Sequence, residues 1–246
     1  MYKKNTSKYL DKAKSIVVIS AFVKKAISTH YKKAASEIDI VFSGVNEIVQ
    51  PIGNEEKDVI KNKYTDGKEF FLYAGKIHQA NNLINLLKAF SVFKKRQQTS
   101  MKLVFAGKVT GRYKVFKENL ESYKYRNDVV IIENAKENEL IKIIGTAYGI
   151  VNPSLYEGFV LSVLQAMQCN VPVITAAGTS MQEITKEAGL YIDANSFTAI
   201  ADKMMLLYKD ENLRNELVQK GKAVAAEYNW KRTAELLWQS ICKAIR

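Results

Sequence analysis

The sequence predicts an α/β protein whose mainly parallel sheet is covered by helices on both faces. Three observations predict it. Apolar runs of strand length recur along the chain. Stretches with apolar spacing near 3.6 lie between them. The runs are apolar at consecutive positions rather than alternating, as strands are when both faces of a sheet are buried.

Taken in order, the strands are SIVVIS (15–20), IDIVFS (38–43), FFLYAG (70–75), KLVFAG (102–107), VVII (129–132), GIVN (149–152), VPVIT (171–175) and LYID (190–193). Helical spacing places helices over Ala80–Lys94, Tyr113–Tyr123, Asn138–Ile144, Leu161–Cys169 and Phe197–Tyr208. Two further helices, Glu211–Tyr228 and Trp230–Ile245, end the chain. Residues 52–68, IGNEEKDVIKNKYTDGK, are polar with turn signals and read as a linker. They separate a short strand–helix–strand unit, residues 1–50, from a main domain, residues 51–246. Two strands cannot form a stable sheet alone, so the first unit must rest on the main domain, add to another chain or stay exposed as an aggregation hazard.

The composition bounds the function. Of 246 residues, 47% are hydrophobic and 25% charged, the balance of an ordinary globular protein. No apolar run reaches the ~18 residues of a membrane span, and the basic, polar first 14 residues are no secretory signal. Cys169 and Cys242 lie far apart with no metal-ligand spacing, and read as reduced thiols of a cytoplasmic protein. The net charge of +12 is uneven: residues 1–36 hold nine lysines against Asp11 alone. That block fits an anionic membrane surface, a solvated face or the surface for a partner domain. No nucleic-acid motif accompanies it, and nucleic acid is not expected as a partner.

In such sheets ligands bind beyond the carboxyl ends of the strands, near helix N-termini where free N–H groups favour anions. Two of those loops offer cations, Gly75-Lys76 and Gly107-Lys108, the second followed by Arg112. A third, NPSLYEGF, offers Glu157 and Gly158 before a helix start. Glu157 is the single charge between Pro153 and Pro172. Cations and N–H groups suit a diphosphate, and a carboxylate suits hydroxyl groups. A nucleoside diphosphate joined to a sugar presents both. His78, in the first cation loop, is read as solvated.

The segment NPSLYEGFVLSVLQAMQCNVPVIT resembles the signature of the retaining family-4 glycosyltransferases of the GT-B fold: a strand, E-G-F-x-L, a helix, a second Glu eight positions on, then Pro and a strand. FFLYAGKIHQANNLINLLKAF is similar to the family's G-R-x(4)-K-N segment, and KLVFAG and DVVIIENAKENEL to its next two strands. GTSMQEITKEAGLYIDANSFTAIADKM is similar to the stretch after the signature, and SIVVISAFVKKAIS with IVFSGVNE to the end of its N-terminal domain. The resemblance implies a Rossmann-like donor domain with a truncated N-terminal domain, and an enzyme that transfers a hexose from a UDP- or GDP-linked sugar with retention. It implies that Lys76 and Asn81 stand at the donor phosphates and that Glu157 holds the transferred sugar. Phe159, Val160 and Leu161 would present backbone N–H groups, Gln165 would meet the ribose, and Ile132 and Asn134 would flank the base. No metal and no separate cofactor are expected.

Three positions depart from the family: Lys76 for arginine, Asn81 for lysine and Gln165 for glutamate. A fourth is Glu133, where the family has glycine near the base. A neutral hydrogen bond in place of a charged one costs about a decade of affinity. Lys108 and Arg112 are candidates to restore the charge. Gln165 has a second reading, because Ser162-Val163-Leu164-Gln165 fits an S-x-x-Q capping box. Three functions stay open at this point. One is a transferase completed by a separate N-terminal subunit or a second copy. The others are a catalytically degenerate nucleotide-sugar-binding or scaffold protein, and a basic adaptor that merely uses the fold.

Overall fold

The structure, a computed structural model, describes residues 2–110 and 113–245. It opens with helix α1 (Tyr2–Lys12), strand β1 (Ile16–Val18), helix α2 (Ala21–Tyr31) and strand β2 (Ile38–Ile40). β1 and β2 pair in parallel as a separate two-stranded sheet. Each is shorter than its apolar run, because hydrogen-bonded pairing extends over only three residues.

The remaining strands form the main sheet. They are β3 (Phe70–Ala74), β4 (Lys102–Gly107), β5 (Val129–Glu133), β6 (Gly149–Asn152), β7 (Val173–Ala176) and β8 (Gly189–Ile192). All pair in parallel, in the order β5-β4-β3-β6-β7-β8. Building outward from β3 toward β5, and from β6 toward β8, places the switch in direction between β3 and β6.

The sheet is covered on both faces as its sequence requires. Phe71 and Tyr73 of β3, with Leu103 and Phe105 of β4, pack on helix α4 (Leu83–Gln97), whose Leu83, Leu86, Leu87, Phe90 and Phe93 make one buried stripe. Phe70, Leu72 and Ala74, with Val104 and Ala106, face the other way. There they meet helices α6 (Glu137–Thr146) and α7 (Leu161–Gln168). Each fully buried Leu or Phe of this kind contributes about 1.5–3 kcal/mol. Helices α5 (Tyr113–Glu121), α8 (Ser180–Thr185), α9 (Phe197–Lys209), α10 (Glu211–Ala226) and α11 (Trp230–Ile245) complete the chain.

Residues 52–68 are not a linker. A helix, α3 (Asn54–Thr65), occupies most of them. Its core face is narrow, with only Ile60 and Thr65 buried, so the apolar period is too weak to read. Its ends carry signals nonetheless: Glu55 and Glu56 in the first turn, and Asp66 and Gly67 at positive φ after the last. Ion pairs Lys142–Glu56 (2.6 Å) and Lys63–Glu139 (2.5 Å) tie it to α6. The helix expected from Ala80 starts at Leu83, because Asn82 takes a left-handed conformation (φ 61°). The side-chain amide of Asn82 donates to the carbonyls of Pro153 and Ala194.

The first unit is held by helices of the rest of the chain, α2 by Glu183 of α8 and the two-stranded sheet by α11. The chain passes close by at Gly44, where an added Cβ would sit 2.4 Å from the Trp230 nitrogen. Val45 N–H donates to the Tyr228 carbonyl (2.9 Å). α11 then runs back to β1 and β2 through a Ser15–Ser240 hydroxyl contact (2.9 Å) and a Lys243–Asp39 ion pair (2.7 Å).

The carboxyl ends of β3 and β4 come unusually close. Gly75 N–H donates to Ala106 O (2.9 Å), and a Cβ on Gly107, at φ 147°, would lie 2.0 Å from Gly75 O. Gly107→Ala is therefore expected to lower Tm by roughly 5–15 °C, through backbone displacement and strain together. Gly178→Ala is the control: φ is 72° there but nothing lies within 4 Å of the added carbon. It is expected to cost only about 1 kcal/mol. Equal Tm losses for the two would show that the close approach carries no energy.

Candidate functional site

A cleft of about 620 Å³ opens at the carboxyl ends of β3 and β6, the switch point of the sheet. That volume suits a ligand of nucleotide size. Its walls come from the end of β3 (Tyr73–Lys76), the turn at Asn81, the loop after β5, and the segment from Glu157 into α7.

Glu157 is the carboxylate of the cleft. Oε1 accepts a hydrogen bond from Asn81 Nδ2 (2.9 Å), and the same amide donates to Ser154 Oγ (3.2 Å). Burial pushes the Glu157 carboxyl above its usual range, while hydrogen bonds from Ser154 and Asn81 and the charge of Lys76 pull it back. Asn81 thus spends its donor on the carboxylate and a hydroxyl. A neutral amide between two acceptors has no stronger partner to seek.

Lys76 is exposed on the cleft wall, and its backbone carbonyl accepts from Tyr73 OH (3.0 Å). Burial, then the nearby Glu157 charge, hold that phenol protonated far above the usual range. Gly75, Phe159, Val160, Leu161 and Gln165 also line the cleft. Gly158 sits behind the lining, against Val23 and Ile19. Lys108 is exposed and outside the lining, although its carbonyl accepts from Ile77 N–H (3.0 Å) and so ties the two cation loops together. Arg112 lies outside the described residues. Ile132 is buried in the core beneath, and the exposed Asn134 (φ 55°) is off the lining, its N–H donating to Gly107 O (3.2 Å). The wall on that side is built by Ala135, Glu137 and Leu140, which the sequence reading did not single out. His78 Nδ1 accepts from Ala80 N–H (3.0 Å), a local turn contact.

The capping box is overturned. α7 begins at Leu161 with Val160 as its N-cap, and no side chain caps it. Ser162 lies inside the first turn, and its hydroxyl donates to Ala74 O at the end of β3 (2.7 Å). The hydroxyl satisfies a strand-end carbonyl that the sequence pattern does not show. Gln165 is buried at the cleft wall, with its amide unused by any cap. Beside it, among the described residues, the N–H groups of Gly158, Phe159 and Val160 meet no protein acceptor.

The raised Glu157 carboxyl sets a pH dependence. Its folded value exceeds the ordinary 4.5, so the stability it contributes is full below about 4.5 and is lost as pH rises through the raised value. Glu157→Gln keeps an acceptor for Asn81 and removes the charge. It is expected to raise the Tm of the ligand-free protein at pH 7 and to leave it unchanged near pH 4, read by thermal denaturation at the two pH values. A Tm difference independent of pH would contradict the desolvation account.

Among the described residues no helix is long and apolar enough to cross a membrane. The family profile described as "Glycosyl transferases group 1" matches residues 54–224. The chain is 26% identical over 228 residues to the O-antigen chain mannosyltransferase B of Escherichia coli, covering 92% of this chain and 60% of that protein. Its fold matches sucrose-phosphate synthase of Thermosynechococcus elongatus with a TM-score of 0.84 at 18% identity, over 98% of this chain and 60% of the other. It also matches Anabaena HepE in complex with UDP and glucose, TM-score 0.83 at 12% identity, over 94% and 63% of the two chains. The chain therefore spans about 60% of the length of each of these three proteins. With the profile covering most of the sequence and the sheet, switch point and cleft in place, the chain belongs to the group 1 glycosyltransferases, family 4, of the GT-B fold.

Proposed function

We propose that the cleft binds a nucleoside diphosphate sugar and that the chain, completed by an N-terminal half, transfers the sugar to an acceptor with retention. The observation that carries the reading is the half-buried Glu157 carboxylate, pinned by Asn81 at the switch point, with Lys76 and free N–H groups on the same cleft. A carboxylate held this way accepts hydrogen bonds from sugar hydroxyls. Lys76 and the N–H groups at the start of α7 stabilise the leaving diphosphate as charge builds on it, which is where preorganised donors lower a barrier most. The donor is a UDP- or GDP-linked hexose. The Anabaena relative was solved with UDP and glucose, and the Escherichia coli relative is a mannosyltransferase.

Gln165 meets the ribose as a neutral amide. It lines the cleft and has no cap to serve, which favours this role over the structural one. Residues 1–50 are the end of an acceptor domain, and the remainder is supplied by further chain, a separate subunit or a second copy. The acceptor is a polysaccharide or lipid-linked sugar at the cytoplasmic face of a membrane, where the nine lysines of residues 1–36 suit anionic lipid.

A second reading, a binding protein without turnover, is favoured by one specific observation: Asn81 donates to Glu157 and Ser154 and brings no charge to the phosphates. A thermal-shift panel of UDP, GDP, ADP and their sugars at millimolar concentration separates these. Stabilisation by one nucleotide and its sugar supports both readings, and hydrolysis or transfer of that sugar supports the first. No shift with any ligand would remove both. Gln165→Glu is expected to tighten binding of the preferred nucleotide roughly ten-fold, by replacing a neutral acceptor with a charged one. Unchanged affinity in titration calorimetry would take Gln165 off the ribose.

A further inference from the structure

The dipeptide Glu157–Gly158 is held from behind by two serines on two different helices. Ser180 Oγ, on α8, donates to Glu157 O (2.6 Å). Ser20 Oγ, at the N-cap of α2, donates to Gly158 O (2.8 Å). Both serines are almost fully buried. The peptide bonds are trans, so each carbonyl and the N–H that follows point in opposite directions. Binding the Glu157 carbonyl aims the Gly158 N–H away from α8. Binding the Gly158 carbonyl aims the Phe159 N–H away from α2. These are two of the N–H groups with no protein acceptor among the described residues.

The two serines are coupled through Glu183. It lies three residues after Ser180 on α8, so both side chains leave the same side of the helix. Its carboxylate accepts from Ala21 N–H (2.7 Å) and Phe22 N–H (3.1 Å). Ser20 Oγ accepts from Val23 N–H (3.2 Å), and Ser20 O from Lys24 N–H (3.0 Å). The N–H groups of Ala21, Phe22 and Val23, which have no partner within α2, thereby each have a side-chain acceptor, which fixes where the Ser20 hydroxyl stands. Phe22 packs on Tyr156 (5.1 Å between centroids), and a Cβ on Gly158 would meet Val23 at 3.2 Å. α2 and the Glu157 loop leave no slack between them.

We propose that Ser20 and Ser180 are positioning residues. They set two consecutive peptide planes so that the Gly158 and Phe159 N–H groups face the diphosphate, and the first strand–helix–strand unit takes part in the donor site through Ser20. The proposal rests on the reading of the cleft as a nucleoside diphosphate sugar site. It goes beyond that reading in giving α2 and α8 a function there.

The test uses Ser20→Gly, which removes the donating hydroxyl while glycine remains a tolerated N-cap, and Ser180→Ala as an independent probe on the other helix. Asp39→Asn, which breaks the Lys243 pair elsewhere in the same unit, is the stability control. Order parameters of the Gly158 and Phe159 amides, from 15N relaxation of the ligand-free protein, are expected near ~0.85 in the wild type and falling toward ~0.6 in both serine variants. They should be unchanged in Asp39→Asn. Calorimetric affinity for UDP or GDP, whichever binds, is expected to fall roughly ten-fold in Ser20→Gly and to recover in Ser20→Thr. Wild-type order parameters in both serine variants would overturn the proposal, as would an equal change in Asp39→Asn. If the wild type binds neither UDP nor GDP, the proposed function fails, and the order parameters still decide whether the serines hold the loop.

Discussion

Glu157 ionises against its surroundings. Burial at the mouth of β3 and β6 raises its carboxyl, and Ser154, Asn81 and Lys76 oppose that rise without cancelling it. A desolvated carboxylate with this few partners is costly to hold and correspondingly ready to accept hydroxyl groups. One contact holds it and others fix the cleft around it. Asn81 turns toward it, Tyr73 fixes the backbone of Lys76, and Ser162 fixes the end of β3 against α7. The close approach of Gly75 and Gly107 brings the two cation loops side by side.

The same constraint gives meaning to the departures from the family. Asn81 in place of a lysine looked like a lost phosphate contact. In the structure it is a neutral donor to Glu157, and it leaves Lys76 as the cation on the cleft wall among the positions expected at the phosphates. On the proposed diphosphate reading, a cleft wall with this one cation among the described residues shifts anion binding toward backbone N–H groups. That raises the importance of whatever sets those peptides, and the serines behind Glu157 and Gly158 do so.

The sheet was legible because its strands are buried on both faces, so their apolar runs are continuous and their order along the chain is clear. α3 was not, because it buries little more than Ile60 and Thr65 and has almost no apolar period. Glu157 and the lining from Phe159 to Leu161 could be placed because they lie on one continuous segment next to a strand end. Ser162 was misread because a capping box is a local pattern, whereas its actual partner, Ala74, is 88 residues away. Ser20 reaches Gly158 across 138 residues, and no spacing in the sequence announces that contact. Ala135, Glu137 and Leu140 were missed because the loop after β5 turns at Asn134, which carries the chain into the cleft one residue later than expected.

On the proposed function, the carboxylate held by Asn81 reads the sugar, while Lys76 and the backbone read the diphosphate. The direct measurement is calorimetric affinity for a nucleoside diphosphate and for the same nucleotide bearing its sugar, in the wild type and in Asn81→Ala. The account expects Asn81→Ala to abolish most of the affinity increment due to the sugar and to leave diphosphate affinity within about two-fold. Equal losses for the two ligands, or an intact sugar increment, would contradict it.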